Sequence, residues 1–287
     1  MLKTFFSFLL TLIVVHAFSQ EKSLADYEVA LNQLSIDLIS EANDESKLKV
    51  NEEFKSLLNE ALSKKGSFDF PFKNIRAISI LKSNDKVKIY NWTLPFNDET
   101  YQYFAIVQLK LANEQYKLIE LIDKSSEITK PETQTLTDKT WFGALYYEII
   151  YDKKLGSDTY TLLGWDGDYN LTNKKIIEVM TISKSGAIKF GSALFKVDKK
   201  PQKRVIFTYS ETAVMSLKYH PKENMIIFDY LVPPNSNLNG VFEYYGPSLD
   251  SFDAFILEKN HWKFQKNIDV KLDKNSKDRR WTDPNGK

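Results

Sequence analysis

The chain has 287 residues, of which 43% are hydrophobic and 27% charged, and it contains no cysteine. This composition is typical of a folded globular protein, and it excludes both an intrinsically disordered chain and a disulfide scaffold. The formal net charge of +1 provides no field for a polyanion, so we expect no nucleic-acid partner.

The first residues predict export. A short basic start, residues 1–3, precedes an apolar run over residues 5–15, and small residues at 17 and 19 have the spacing that a signal peptidase reads. The apolar run is too short for a permanent membrane span, and no later run approaches that length. We therefore expect a signal peptide over residues 1–19, a mature chain that starts at Gln20 without a transmembrane span, and a periplasmic or secreted location. Because a bacterial lipid anchor requires a cysteine after the signal, we expect no such anchor.

Residues 20–66 predict a helical N-terminal segment. Apolar residues recur every three or four positions on both sides of a polar break at 43–46. Two lysines and Gly66 end the second repeat, which places cations at the negative end of the helix dipole and a glycine at the left-handed cap. We expect two helices, arranged as an antiparallel pair, whose apolar stripe covers the rest of the chain. The stripe consists of Leu24, Tyr27, Leu31, Leu34, Leu38, Val50, Phe54, Leu57, Leu58 and Leu62.

Residues 75–270 predict an antiparallel β domain, because the hydrophobic period changes to two at Ile75. The fold class is therefore mainly β, an antiparallel meander of hairpins, with propeller-like and sandwich closure both open. Residues 123–140 predict a surface loop, and residues 271–287 predict a polar C-terminal tail. The expected strands fall into groups of about four: 75–81, 87–93, 103–109 and 116–122; 141–151, 159–164, 174–182 and about 188–195; 204–209, 214–219, 225–232 and 241–245; and a last hairpin, 252–257 and 262–268.

The acidic turn between two of these strands is a candidate metal site. Asp166, Asp168 and Asn170 have the i, i+2, i+4 spacing of the first oxygen ligands in an EF-hand loop, which favours Ca²⁺. The rest of that pattern is missing, because Leu171 stands where glycine is required and Ile177 where a bidentate glutamate belongs. A structural β-turn, which requires the same glycine, aspartate and asparagine residues, is the alternative.

Catalytic residues stay unassigned by the sequence. Beyond the signal peptide only His220 and His261 remain, and with no cysteine the usual zinc ligand sets cannot form. No nucleophile elbow and no phosphate-binding glycine motif is present, so no organic cofactor is expected. Paired carboxylates are plentiful, which leaves a hydrolase acting on glycans or peptides as an alternative function.

Three aromatic residues are candidates for ligand binding. Trp165, Tyr244 and Tyr245 have side chains that can stack on a sugar or a peptide. The alternative is that these side chains fill the β core, where tryptophan and tyrosine also belong. The leading hypothesis is an exported protein that binds or scaffolds in the cell envelope. A carboxylate-based hydrolase and a Ca²⁺-stabilised binding module are the two alternatives.

Several short segments resemble secreted proteins of unknown function from Bacteroidota-type bacteria. The resemblance implies a cell-envelope or extracellular setting, and it implies no activity and no catalytic residue. The segments are VKIYNW at 87–92, LLGWDG at 162–167, IIFDY at 226–230 and YYGP at 244–247.

Overall fold

A computed structural model describes residues 21–269 except 112–114, 170 and 198–199, and it leaves the side chains of Lys200 and Asp250 undescribed. The predicted signal peptide and the predicted polar tail lie outside these residues.

Two helices begin the described chain, as the sequence predicts. They are α1 (Leu24–Ser40) and α2 (Asp44–Leu62). The Tyr27 hydroxyl near the start of α1 donates a hydrogen bond to Glu60 near the end of α2, so the two helices run antiparallel. Within the described ranges, neither helix combines the length and the apolar composition that a membrane crossing requires.

The N-terminal ends of both helices follow local capping rules, whereas α2 ends at Leu62, before the predicted lysines and glycine cap at Gly66. The Ser23 hydroxyl accepts a bond from the Asp26 amide, and the Asp26 carboxylate accepts one from the Ser23 amide, which forms a capping box. The Asn43 side chain caps α2 through the Ser46 amide over 2.8 Å. Each cap satisfies amides that have no partner inside the helix.

Sixteen strands follow in the described chain: β1 (Ser79–Ser83), β2 (Val87–Pro95), β3 (Tyr101–Lys110), β4 (Tyr116–Ile122), β5 (Leu136–Thr137), β6 (Leu145–Tyr151), β7 (Thr159–Tyr169), β8 (Thr172–Ile182), β9 (Ile188–Phe190), β10 (Phe195–Val197), β11 (Lys200–Gln202), β12 (Arg204–Ser210), β13 (Leu217–His220), β14 (Met225–Val232), β15 (Gly246–Glu258) and β16 (His261–Gln265).

The strands form three sheets. Sheet 1 has the order β1-β2-β3-β4, and every pair in it is antiparallel. Sheet 2 has the order β5-β9-β8-β7-β6. Strand β9 pairs with residues 180–182 of β8, and β12 pairs with residues 172–178 of the same strand. Sheet 3 has the order β11-β10-β16-β15-β14-β13, and its β10–β16 pair is parallel.

The molecule has four layers, in the order helices, sheet 1, sheet 2 and sheet 3. Successive side chains of a strand point to opposite faces of the sheet, so apolar neighbours in one strand can pack against two different layers. On β2, Ile89 packs toward sheet 2 while its neighbour Tyr90 packs toward the helices. On β7, Leu162 packs toward sheet 1 while Leu163 packs toward sheet 3. The helical stripe therefore covers the β structure, as expected, and three cores lie between the layers.

The strand grouping differs from the expected blades. The first predicted group forms sheet 1 by itself, but residues 188–210 distribute their strands over sheets 2 and 3. The sheets stack face to face as in a sandwich and are not arranged around an axis. The propeller-like alternative is therefore wrong, because consecutive strands in the second half of the chain are divided between two stacked sheets and do not form separate blades.

Several predicted strand positions are not strands. Residues 141–144 precede β6 as buried irregular chain, and Trp141 donates a hydrogen bond from its indole to the Tyr146 hydroxyl over 2.8 Å. Residues 214–216 precede β13, and the predicted strand 241–245 contains a 3-10 turn. Each segment contains aromatic or β-branched residues, which are typical of strands, but tertiary contacts decided its conformation.

The predicted surface loop 123–140 is partly buried. It contains β5 and two 3-10 turns, Ser125–Glu127 and Pro131–Thr133, and the Leu136 side chain is 3% exposed. The segment covers the edge of sheet 2 by pairing β5 with β9. A polar composition therefore did not prevent this segment from contributing to the core.

Candidate functional site

Three chain segments meet at one end of sheets 2 and 3. The Glu211 amide, which follows β12, donates to the carbonyl of Leu171 in the β7–β8 turn over 3.1 Å. The Ser210 amide donates to the carbonyl of Tyr245 over 2.8 Å, and Tyr245 directly precedes β15. Between them lies a groove of about 440 Å³, which we name the aromatic groove. It is lined by Leu171, Ser210, Glu211, Thr212, Ala213, Glu243, Tyr244, Tyr245 and Gly246.

Exposed apolar side chains concentrate in these segments and directly beside them. Val214 is 87% exposed, Leu249 is 91% exposed and Tyr244 is 53% exposed. Exposed apolar patches mark interaction sites on globular proteins, so these segments are a candidate interaction surface. The full set in this region is Tyr169, Leu171, Val214, Val241, Phe242, Tyr244 and Leu249.

The polar rim of the aromatic groove is acidic. Glu211 and Glu243 contribute carboxylates, and Ser210 and Thr212 contribute hydroxyls that lie 2.9 Å apart. The groove therefore offers apolar contact surface together with two negative charges.

The two predicted tyrosines have different roles in the groove. Tyr244 presents its ring to solvent, whereas Tyr245 is half-buried and packs on the core between sheets 2 and 3. The Tyr245 ring lies 5.1 Å from that of Phe242, and its hydroxyl accepts a bond from the Gly240 amide over 3.0 Å. Tyr245 thus supports the loop that displays Tyr244.

Trp165 is not among the residues that line the aromatic groove. Its ring meets the Tyr101 ring edge-on, with centroids 5.3 Å apart, and the residue is half-buried. Burial raises the pKa of the Tyr209 hydroxyl, and a hydrogen bond with Trp165 opposes that rise. Trp165 therefore contacts Tyr101 of sheet 1 and Tyr209 of sheet 2. Tyr209 directly precedes the groove residue Ser210 in the chain, but Trp165 itself does not line the groove.

The acidic turn forms a compact internal network. Asp166 is 5% exposed, and its Oδ1 accepts bonds from the Tyr103 hydroxyl and from the Asp168 amide, both over 2.8 Å. The Lys174 ammonium contacts Asp168 Oδ1 and lies 3.7 Å from Asp166 Oδ2. The Thr172 hydroxyl donates to Asp168 Oδ2 over 2.5 Å. The carboxylates of this turn are thus bonded by donors of the chain itself.

This network bears directly on the Ca²⁺ prediction. Burial raises the pKa of the Asp166 carboxyl, and the positive charge of Lys174 opposes that rise. Asn170 lies outside the described residues. Among the described residues, no group of three or more histidine, aspartate or glutamate side chains gathers as metal ligands do. The Ca²⁺ site stays a prediction of the sequence, and the contacts of Lys174 with both aspartates favour its alternative, a structural turn.

The hydrolase alternative needs carboxyl groups of suitable pKa at a cleft. Among the described residues, burial raises the pKa of the Asp166 carboxyl and of the Glu148 carboxyl. Neither residue lines the aromatic groove, and catalytic residues stay unassigned.

Sequence reasoning did not select Leu171, Glu211 or Glu243 of the groove, nor Val214, which directly follows the groove residue Ala213. The sequence contains a signal for Leu171, because an apolar residue in a tight turn is expected to be exposed to solvent. Val214 lies in a predicted strand, because β-branched side chains are typical of strands. The two glutamates carried no local signal, because only the fold brings residues 32 positions apart to one groove.

Comparison of the chain with protein-family models, with curated proteins and with solved structures gives no match.

Proposed function

We propose that this protein is an exported binding protein that holds a polypeptide segment in the aromatic groove. The observation that carries the proposal is the number of exposed apolar side chains in the chain segments that line a groove with an acidic rim. Tyr244 lines the groove itself, and Val214 directly follows the lining residue Ala213. Burying such side chains against a partner releases about 25 cal/mol for each Å² of apolar surface removed from water.

The chemistry of the groove favours a polypeptide over a glycan. Sugars bind flat aromatic faces with many hydrogen bonds, whereas Leu171 and Val214 are aliphatic side chains that gain by contacting other apolar side chains. Glu211 and Glu243 attract a cation, so the expected segment carries a lysine or arginine beside its apolar residues. The occupant is therefore a segment that combines apolar and basic side chains.

A selection experiment tests this function. Phage displaying random peptides are panned on the purified chain 20–287, and selected peptides are titrated by fluorescence anisotropy. We expect enrichment of peptides that contain both apolar and basic residues. Peptides that show no enrichment, or that bind only through acidic residues, contradict the proposal. Binding of glycans on an array, without peptide binding, would assign a sugar ligand instead.

Matched variants locate the binding surface. Tyr244→Ala and Val214→Ser each remove an exposed apolar side chain from the groove region, and we expect about tenfold or greater loss of peptide affinity. Val29→Ser removes an equally exposed side chain from α1, in the outermost layer on the other side of the molecule, and should leave the affinity unchanged. Equal affinities of all three variants would place the binding elsewhere.

The export part of the proposal rests on residues 1–19 and has its own test. The full chain is expressed with these residues in a Gram-negative host, and the product is analysed by cell fractionation and intact mass. We expect the periplasmic or secreted product to begin at Gln20. An uncleaved product in the cytosol would refute export and leave the peptide-binding proposal standing.

A further inference from the structure

The described part of the chain ends beside β15, the strand that begins at the aromatic groove. Gly246 lines the groove and is the first residue of β15. Strand β16 runs back along β15 with Gln265 opposite Ala254, and beyond it the Ile268 amide donates to the Phe252 carbonyl over 2.9 Å. Because this pairing is antiparallel, residues 265–268 run toward the groove.

The groove lies within reach of the residues that follow. Phe252 and Gly246 pair with residues of β14 that are only three positions apart, so the tail starts about 10 Å from the groove along the strand direction. Leu249, which is 91% exposed, lies on the stretch of β15 between these two positions. Arg279 follows Ile268 by 11 positions, and a chain of that length can span any distance up to about 36 Å.

Residues 279–281 have the chemistry that the groove selects. Arg279, Arg280 and Trp281 combine two cations with the single aromatic side chain of residues 270–287. A guanidinium can form two parallel hydrogen bonds with one carboxylate, and the groove presents the carboxylates of Glu211 and Glu243. The indole adds a large apolar surface for the exposed side chains of the groove region.

We propose that residues 279–281 occupy the aromatic groove of their own chain and that a binding partner must displace them. The inference rests on the proposed function of the groove and adds its regulation. Attachment to the same chain gives such a segment an effective concentration in about the millimolar range. With an intrinsic dissociation constant of about 0.1 mM, the segment would fill about nine-tenths of the grooves and weaken partner binding about tenfold.

Photo-cross-linking tests the occupancy without any added peptide. Chain 20–287 carries the photoreactive substitution Trp281→p-benzoylphenylalanine and is irradiated at low micromolar concentration, where contacts within one molecule dominate. Products are separated by gel electrophoresis and mapped by peptide mass spectrometry. We expect products of monomer size, with cross-links to residues 210–214 and 241–246. Adding Tyr244→Ala should reduce the yield of these cross-links, whereas adding Val29→Ser should leave the yield unchanged.

Peptide affinity measures the competition. Peptides selected on the groove are titrated into the unmodified chain and into the triple variant Arg279→Gln, Arg280→Gln and Trp281→Ala. We expect the triple variant to bind these peptides about tenfold more tightly, because its groove no longer holds the segment. Lys274→Gln is the matched control, since it removes a cation of the same tail outside residues 279–281, and it should leave the affinity unchanged.

The two measurements separate this inference from the proposed function. Cross-links to other surfaces, or equal peptide affinities of the unmodified chain and the triple variant, would overturn the inference and leave peptide binding standing. Cross-links between two molecules would assign the groove to a second copy and overturn it as well. If neither protein binds any peptide, the proposed function fails, and the cross-links alone decide whether residues 279–281 occupy the groove.

Discussion

Arg204 and Glu178 face each other across the β12–β8 pair and form an ion pair that is completely buried. Arg204 Nε donates to Glu178 Oε2 over 2.7 Å, and Arg204 Nη1 donates to the Pro131 carbonyl over 2.5 Å. The Tyr146 hydroxyl donates to the other carboxylate oxygen of Glu178. One arginine therefore joins two neighbouring strands to the 123–140 segment.

Removing one partner of this pair should destabilise the fold strongly. Glu178→Gln or Arg204→Met leaves a buried group without its partner, and each should lower the free energy of unfolding by about 3–5 kcal/mol. The measurement is urea denaturation followed by tryptophan fluorescence. The control is Lys263→Met in the exposed Lys263–Glu258 pair, which should cost less than about 1 kcal/mol. A loss in Glu178→Gln no larger than in this control would contradict a structural role.

The acidic turn should be insensitive to Ca²⁺. The Lys174 ammonium already lies against both Asp166 and Asp168, so about 1 mM Ca²⁺ or an excess of EDTA should leave the melting temperature unchanged. Lys174→Met should lower the free energy of unfolding by about 1–3 kcal/mol, because two nearby carboxylates then lose their charge partner. Differential scanning fluorimetry measures both effects. A rise in the melting temperature of the unmodified protein with Ca²⁺ would instead support the predicted metal site.

Gly167 should not accept a side chain. A Cβ atom at this position would lie 2.3 Å from the ring of Tyr101, and that ring is held against Trp165. Gly167→Ala should therefore lower the free energy of unfolding by about 1–3 kcal/mol. Gly246→Ala is the matched control, because its Cβ would meet the nearest atom, on Ala213, at an ordinary 3.7 Å.

A double variant tests the cause of the Gly167 effect. If the Tyr101 ring is the obstacle, Tyr101→Ala should remove most of the penalty that Gly167→Ala produces on its own. The coupling energy from the four unfolding free energies measures this directly. A penalty that is the same with and without the ring would point to the backbone conformation instead.

Stability should rise with pH because of Lys88. This side chain is 3% exposed and donates bonds to the carbonyls of Phe68 and Phe70. Burial lowers its pKa from 10.5 to about 8, the nearby charge of Lys82 adds to the decrease, and Asp69 opposes it. Between about pH 8 and 10.5 the unfolded chain therefore holds more protons at this position than the folded protein, so the free energy of unfolding increases with pH.

The comparison with Lys88→Met isolates this effect. The difference in unfolding free energy between the unmodified protein and Lys88→Met should shift by about 1–2 kcal/mol in favour of the former between about pH 7.5 and 10. Lys86→Met is the control, because the partner Asp158 raises the pKa of Lys86 and its contribution stays constant below about pH 10. A flat difference for Lys88 would show that its ammonium keeps an ordinary pKa.

The local pattern of the sequence determined the helices and most strands. The helical period and the capping residues Ser23 and Asn43 define α1 and α2, because they act within four residues of one another. The predicted strands 225–232 and 116–122 match β14 and β4 at their observed bounds. Period and capping are local properties, so one chain suffices to reveal them.

Where tertiary contacts compete with local preference, the conformation predicted from local pattern is wrong. The aromatic stretch 241–245 was expected as a strand but forms a 3-10 turn that displays Tyr244. Trp141 was expected in a strand but enters the core between sheets 1 and 2 as irregular chain. The side chains alone do not reveal which neighbours will satisfy them.

The sequence by itself thus determined a helical pair followed by hairpins, and it identified Tyr244 and Tyr245 as candidates for ligand binding. Only the tertiary structure decided that Glu211 and Tyr244 share a groove, that Trp165 does not line it, and that Lys174 neutralises the acidic turn. The physical reason is that the packing of one sheet face on another depends on burial summed over the whole chain. Short-range periodicity fixes which face of a strand is apolar, but it carries no information about which distant face will cover it.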